Sequence, residues 1–255
     1  IIGIIMAVII TYFVALYLTK KALVPIETAW NNQAKFVQDA SHELRTPISI
    51  VSSKLESMLK LPDNTISDEV ETIADAMKET RRIKKMINDL LCLTKEDAIT
   101  KISIDSMNIQ NLLDEIISDY IDIAQVQEKE FSINLELKNK IIITDKNKLR
   151  QLIVIFIDNA FKYTKKGDKI LIEVKEKGSD MSLSIIDSGI GIKKEEIPYI
   201  FDRFFRSENV RNKDIDGSGI GLSIAKMLCS NLNFKLKVDS KLNEYTKFEI
   251  IIPTK

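Results

Sequence analysis

The first 19 residues contain no side chain that is charged at neutral pH, and they constrain the fold more than any other stretch. A helix rises about 1.5 Å per residue, so the predominantly apolar run over 1–18 spans roughly 27 Å, close to the hydrocarbon core of a bilayer. Lys20 and Lys21 follow directly, as expected on the cytoplasmic side of a membrane. The alternatives are a buried core helix and a signal peptide, but the basic start and small-residue cleavage site of a signal peptide are missing. We predict a transmembrane helix over 1–19, with the remainder of the chain in the cytoplasm.

The composition of the chain excludes several classes of protein. The hydrophobic fraction of 45% and the charged fraction of 29% are those of a folded protein, and 255 residues are enough for two or three folding units. The 37 basic residues balance the 37 acidic ones, which argues against a non-specific nucleic-acid binder. One histidine and two cysteines exclude a multi-histidine or cysteine-based metal site and a disulfide framework. The chain begins with Ile, so we expect it to be part of a longer protein.

Two amphipathic helices are predicted after a short connector at 20–29 that contains Pro25. Their apolar stripes are Phe36, Ala40, Leu44, Ile48, Val51, Leu55 and Leu59, and then Val70, Ile73, Met77, Ile83, Ile87, Leu90 and Leu91. A break at 61–64 makes the pair a helical hairpin, and the second helix should begin at 67–69. One hairpin cannot bury both stripes, so a dimeric four-helix bundle over 30–97 is favoured over packing on the next domain.

The pattern changes at about residue 101, where apolar and polar residues begin to alternate. The alternating runs, each typical of a strand with one buried face, are 131–137, 170–174, 183–185, 234–238 and 248–252. Helices are predicted at 109–120, at 146–163 and after Gly221. We therefore predict a two-layer α/β sandwich over 98–255, with helices on one side of a mostly antiparallel or mixed sheet. The stretch 188–216 has no period and is expected to be a functional lid.

Five of the eight glycines lie in two clusters. They are Gly189 and Gly191, after a predicted strand, and Gly217, Gly219 and Gly221, before a predicted helix. Glycine lets the backbone approach an anion closely, and a helix N-terminus offers free N–H groups to phosphate. Neither cluster has the Rossmann or P-loop pattern. Phosphate binding is favoured, with a pair of ordinary tight turns as the alternative.

Asn159, Lys162 and Tyr163 lie at the end of the helix predicted over 146–163. An asparagine oxygen can ligate Mg²⁺, a lysine can pair with phosphate, and a tyrosine ring can pack on a base. Taken alone, the group also fits an ordinary helix C-terminus.

His42, the single histidine, is two residues from both Ala40 and Leu44 of the first apolar stripe. It therefore lies about 200° around the helix from each and is predicted to be exposed, where an imidazole nitrogen can act as a nucleophile. Glu43 is placed to orient the ring or take its proton. A structural core histidine is the alternative. Pro47 predicts a bend one turn further on.

Together these clusters resemble, in order and separation, the catalytic half of the bacterial two-component sensor histidine kinases, and the resemblance covers nearly the whole chain from Ala22 onward. The matching motifs are the phosphoacceptor box at 41–47, the asparagine box at 158–164, the adenine-side glycine box at 187–191, the phenylalanine box of the ATP lid at 200–206 and the phosphate-side glycine box at 217–222.

The resemblance implies that His42 receives the γ-phosphoryl group of ATP with Glu43 as base, and that Thr46 positions water for dephosphorylating a response regulator. It also implies that Asn159 ligates Mg²⁺, that Asp187 accepts a hydrogen bond from adenine and that Arg206 reaches the terminal phosphate. The other implied nucleotide contacts are Lys162, Tyr163, Gly189, Gly191, Gly217, Gly219, Gly221 and Leu222. Phe201, Phe204 and Phe205 are expected to pack the lid. The implied partners are a second copy of the chain and a cognate response regulator, with no nucleic acid.

Ile155 stands one helical turn before Asn159, where related ATP-hydrolysing folds carry a glutamate that activates water. Isoleucine cannot take a proton, so a freestanding ATPase is disfavoured. The alternative function is a kinase-weak nucleotide-binding scaffold that acts mainly as a regulator phosphatase.

Overall fold

The computed structural model describes residues 2–61, 63–95, 102–137, 141–207 and 217–253, apart from the side chains of residues 8, 32 and 95. The chain divides into two compact units, Ile1–Ile83 and Lys84–Lys255. The domain boundary predicted at 97–98 lies outside the described residues, as does the part of the predicted lid at 208–216.

The first unit begins with one long helix, α1 (Ile2–Leu59). The prediction of a connector between two helices at 20–29 is wrong in its secondary structure, because α1 runs without interruption through Pro25 and Pro47. Pro25 removes the hydrogen bond to the carbonyl of Lys21, but this part of the helix is exposed, so water can satisfy that carbonyl. The N-terminal part of α1 is long and apolar enough to cross a membrane, and none of that stretch is buried in the protein.

A turn joins α1 to α2 (Val70–Lys95), which forms the predicted hairpin. The turn is closed by side chains at the start of α2: Asp68 accepts hydrogen bonds from the N–H and hydroxyl of Thr65, at 2.8 and 2.7 Å. An ion pair of 2.6 Å between Lys54 and Asp75 joins the two helices beside the turn. The predicted break and the predicted start of the second helix are thus confirmed to within three residues.

The second unit contains a mixed five-stranded sheet in the order β2-β4-β5-β7-β6 and a separate antiparallel pair, β1 with β3. The strands are β1 (Asp105–Asn108), β2 (Glu130–Glu136), β3 (Ile141–Thr144), β4 (Lys169–Lys177), β5 (Asp180–Asp187), β6 (Lys235–Lys241) and β7 (Tyr245–Pro253). The helices are α3 (Ile109–Val126), α4 (Lys146–Tyr163) and α5 (Gly221–Asn231). Strands β2 and β4 are parallel and the other neighbours are antiparallel. The predicted mixed sheet is confirmed; β1 and β3, with four residues each, are too short to show an alternating pattern.

The apolar core of this unit lies between the sheet and its helices. Phe156 of α4 stacks on Phe248 of β7, with ring centroids 4.7 Å apart, and both rings are buried. Strand β5 differs from the prediction of one buried face, because Ser182 and Ser184 on its other side are buried as well. Its central position in the sheet explains this, since longer side chains of the flanking strands cover the serines; Ser182 donates a hydrogen bond to Glu249 at 2.7 Å.

Candidate nucleotide-binding site

A single cavity in the second unit brings together residues from α4, the loop after β5, the segment 196–207, the start of α5 and strand β7. Six of the predicted binding residues line it: Asn159, Tyr163, Asp187, Gly191, Arg206 and Leu222. The first and the last of these residues, Asn159 and Leu222, are 63 positions apart in the sequence, so the fold, and not local sequence, assembles the site.

Asp187, the last residue of β5, places a carboxylate in the wall of the cavity. It is only 4% exposed, and its Oδ1 accepts a hydrogen bond from the N–H of Gly189 at 3.0 Å. Burial raises the pKa of Asp187 to about 7, and the bond from Gly189 opposes that rise. Thr246 lies opposite Asp187 in the register of β5 and β7, is buried and lines the same cavity. Sequence reasoning missed Thr246, because only the pairing of these two strands reveals it.

The loop after β5 passes very close to two other backbone segments. A Cβ atom at Gly189 would lie 2.3 Å from the carbonyl oxygen of Tyr163, and one at Gly191 would lie 2.1 Å from that of Lys241. The residue between them, Ile190, donates its N–H to the Tyr163 carbonyl at 3.2 Å and accepts from the N–H of Asn243 at 2.7 Å. The first glycine cluster therefore shapes the wall of the cavity by close backbone packing.

Asn159 presents one amide oxygen to the cavity. Its Nδ2 donates a hydrogen bond to the backbone carbonyl of Ile155 at 2.8 Å, which leaves Oδ1 as the atom that can accept or ligate. A single neutral oxygen fits Mg²⁺, which usually takes most of its ligands from phosphates and waters. Among the described residues there is no cluster of three or more carboxylate, histidine or cysteine side chains that would hold a metal by itself.

Asp158, next to Asn159, has a structural role. Its carboxylate accepts hydrogen bonds from the hydroxyl of Tyr120 at 2.6 Å and from Lys85 at 3.1 Å. Burial, with the bond to Asp158, raises the pKa of Tyr120. The asparagine box thus serves two purposes, since one residue ties α4 to α3 and the next faces the cavity.

Lys162 and the second glycine cluster border the cavity without lining it. The Lys162 ammonium lies 4.7 Å from the ring centroid of Tyr163, and a Cβ atom at Gly217 would be 2.0 Å from that ammonium. Gly219 has a φ of +70°, and a Cβ there would be 2.7 Å from the carbonyl carbon of Phe204. Gly221 is the first residue of α5. The Lys162 ammonium and the glycine loop at 217–221 are therefore adjacent.

The described part of the predicted lid holds Arg206 at the cavity. Phe204 has a φ of +61°, is buried and donates its N–H to the carbonyl of Gly219 at 3.0 Å. Phe201 packs edge-on against Phe248, with centroids 6.5 Å apart. Both act in packing, as expected, whereas Phe205 lines the cavity and so differs from that expectation.

His42 lies on α1, in the first unit, and its side chain is exposed, which confirms the prediction from its helical position. Glu43 is half-buried, and Thr46, one turn further along, is exposed. The helix thus presents an imidazole to solvent, where it can act as a nucleophile, and the next residue in the sequence carries a carboxylate.

Comparisons with known proteins agree with both units. Residues 32–99 match the family model of the His Kinase A (phospho-acceptor) domain, and residues 144–255 match that of the histidine kinase-, DNA gyrase B- and HSP90-like ATPases. The first match contains His42 and the second contains the cavity. The chain belongs to the bacterial two-component sensor histidine kinases.

Curated members of this family extend the match beyond single domains. The histidine kinase chain is 35% identical over 229 residues to the signal transduction histidine-protein kinase ArlS of Staphylococcus haemolyticus, and 36% identical over 227 residues to ArlS of Staphylococcus aureus (strain USA300). Each alignment covers 89% of this chain and 50% of the relative. The chain therefore spans about half the length of these relatives.

Solved structures of histidine kinases have the same fold. Histidine kinase AdeS of Acinetobacter baumannii superimposes with a TM-score of 0.68 at 20% identity, covering 84% of this chain and 98% of the solved AdeS chain. Histidine kinase ThkA, in its complex with the response regulator protein TrrA, superimposes with a TM-score of 0.69 at 19% identity, covering 87% of this chain and 61% of ThkA.

Proposed function

We propose that this chain transfers the γ-phosphoryl group of ATP to His42 and passes it on to an aspartate of a response regulator. The observation that carries this proposal is the cavity formed by Asn159, Asp187 and Arg206 in the ATPase-family unit, combined with an exposed histidine on the phosphoacceptor helix. The chain thus contains a donor site and an acceptor nucleophile.

Each wall of the cavity suits a different part of the nucleotide. The Asp187 carboxylate accepts a hydrogen bond from the adenine amino group, and Asn159 Oδ1 would hold Mg²⁺. Lys162 and the glycine loop that leads into α5 face the phosphates, because a cation and helix N–H groups both stabilise anions. Arg206 reaches the terminal phosphate and stabilises charge that develops during transfer. When bound, Mg²⁺ neutralises phosphate charge.

Transfer needs a nucleophile and a proton acceptor. A neutral imidazole nitrogen of His42 attacks the γ-phosphorus, a nitrogen–phosphorus bond forms, the bond to the β–γ bridging oxygen breaks, and ADP leaves. Glu43 takes the proton that the ring loses. Ile155 offers no base for water at the corresponding place on α4, so hydrolysis of ATP is not favoured. Thr46 has a role in a second reaction, the dephosphorylation of the response regulator, in which it positions the attacking water.

Exposed apolar side chains support a homodimer. In the first unit, Leu55 is 51% exposed, Leu59 81% and Met77 53%, although all three belong to the predicted apolar stripes. A second copy would cover them in a four-helix bundle.

ThkA has been solved with a response regulator, and we infer a regulator as the partner here also. The apolar start of α1 anchors the chain in the bacterial membrane, with the catalytic part in the cytoplasm.

The test is phosphorylation with radiolabelled ATP and Mg²⁺. The wild-type chain should acquire acid-labile label, and His42→Gln should acquire none while it binds a fluorescent ATP analogue as tightly as the wild type. Label that survives in His42→Gln would overturn the assignment. Tight ATP binding with no label on the wild-type chain would instead point to the phosphatase alternative.

A further inference from the structure

We infer that Glu196 is a positioning residue, which holds the segment that carries Arg206 in place for the terminal phosphate of ATP. The inference rests on the proposed function, because it refines the role given there to Arg206. It concerns a side chain that none of the sequence motifs singles out.

The carboxylate of Glu196 lines the cavity together with Arg206 and Ser207. Its Oε1 accepts a hydrogen bond from the Ser207 hydroxyl at 2.8 Å. A hydrogen bond to an ionised acceptor is roughly twice as strong as one between neutral groups. Glu196 thus makes a specific link to the residue that directly follows Arg206.

The backbone around Glu196 is well placed to support this link. Its N–H donates to the carbonyl of Lys193, and its own carbonyl accepts from the N–H of Tyr199, both at 2.9 Å. Ile200, the next residue in this run of turns, is buried. The carboxylate is therefore attached to a part of the chain that is held by its own hydrogen bonds and packing.

Arg206 lies between two attachment points. On one side, the N–H of Phe204 donates to the carbonyl of Gly219 at 3.0 Å. On the other side, Ser207 donates to Glu196. Removing the second attachment takes away the link between Glu196 and the residue next to Arg206, so the Arg206 guanidinium is held less firmly in position even though Arg206 itself is unchanged.

The effect of fixing Arg206 should appear only with a ligand that has a terminal phosphate, because Arg206 acts on that group.

The experiment compares the affinities of the chain for ATP and ADP in the presence of Mg²⁺. Arg206→Ala first defines how much of the preference for ATP depends on the guanidinium. Glu196→Ala and Ser207→Ala should each lower ATP affinity by about tenfold, equivalent to about 1.4 kcal/mol, and leave ADP affinity unchanged. Glu196→Gln, which keeps an acceptor for Ser207, should recover most of the preference. Glu195→Ala, at the exposed neighbouring position, is the matched control and should change neither affinity.

The decisive variant is the double change Glu196→Ala with Arg206→Ala. It should behave as Arg206→Ala alone, since Glu196 acts through Arg206. Additive losses, or equal losses of ATP and ADP affinity in Glu196→Ala, would overturn the inference and leave the proposed function standing. If Arg206→Ala itself does not change the preference for ATP, the proposed role of Arg206 fails and the inference fails with it.

Discussion

At the scale of single residues, Asp187 shows how one buried carboxylate links ligand binding to stability. It is buried at the end of β5, and in the folded chain its pKa is about 7, against 3.8 for an ordinary aspartate. The folded state therefore holds the proton to higher pH than the unfolded state. The contribution of Asp187 to the stability of the folded state is therefore complete below about pH 4, and it is lost as the pH rises through about 7.

We therefore expect the free energy of unfolding to fall between pH 5 and pH 8 by roughly 2–3 kcal/mol more in the wild-type chain than in Asp187→Asn. Urea unfolding of both proteins at the two pH values, without nucleotide, measures this difference. Asp122→Asn, on the exposed side of α3, is the control and should follow the wild type. Equal pH dependence in wild type and Asp187→Asn would contradict the prediction.

At the scale of elements, the site depends on how closely the loop after β5 packs against the turn between β6 and β7. Gly191 and Gly178 have nearly the same backbone conformation, with φ of +61° and +65°. A Cβ atom at Gly191 would lie 2.1 Å from the Lys241 carbonyl oxygen, whereas one at Gly178 would have nothing within 4 Å. A comparison of the same substitution at the two positions therefore separates the cost of conformational strain from the cost of steric overlap.

Alanine at Gly178 should cost about 1 kcal/mol of folding free energy, from the left-handed conformation alone. Alanine at Gly191 should cost clearly more and should also weaken ATP binding, because the loop must move away from β6 and carry a wall of the cavity with it. Thermal unfolding and ATP titration of the two variants measure both effects. Equal losses of folding free energy in the two variants would contradict the role given to close packing at Gly191.

At the scale of the whole molecule, the ATP-binding cavity is formed entirely within Lys84–Lys255, whereas the membrane-spanning candidate lies at the start of α1. Removing residues 2–19 should therefore release the chain from the membrane fraction without changing its affinity for ATP. Cell fractionation and titration with an ATP analogue check the two outcomes. A chain in which an unrelated apolar helix of equal length replaces 2–19 should stay in the membrane. Retention of the shortened chain in the membrane would refute the predicted span.

Helix α1 also corrects the expected division of the chain. The sequence predicts a connector around Pro25, but one helix runs from the apolar start to the turn after His42. Proline disfavours a helix locally by removing one donor, and the surrounding helical hydrogen bonds outweigh that loss where water can reach the freed carbonyl. The apolar start and His42 therefore lie on one element.

Most of the elements, and several of the residues that line the cavity, could be predicted from the sequence. The helix over Lys146–Tyr163, the strands of the main sheet and the exposure of His42 all follow from apolar periodicity, because that periodicity is a local property of the chain. The asparagine box and the two glycine boxes likewise contain five of the predicted residues that line the cavity, and the phenylalanine box contains the sixth, Arg206.

Tertiary structure alone decided which distant residues meet. Thr246 lies opposite Asp187 only through the register of β5 and β7, and Glu196 reaches Ser207 only because the turns at 193–199 fold back on the segment that follows. The burial of Ser182 and Ser184 depends on β5 being the central strand. Such contacts depend on strand order, register and the path of loops, which are set by packing between segments far apart in the chain, so no local pattern of residue types contains them.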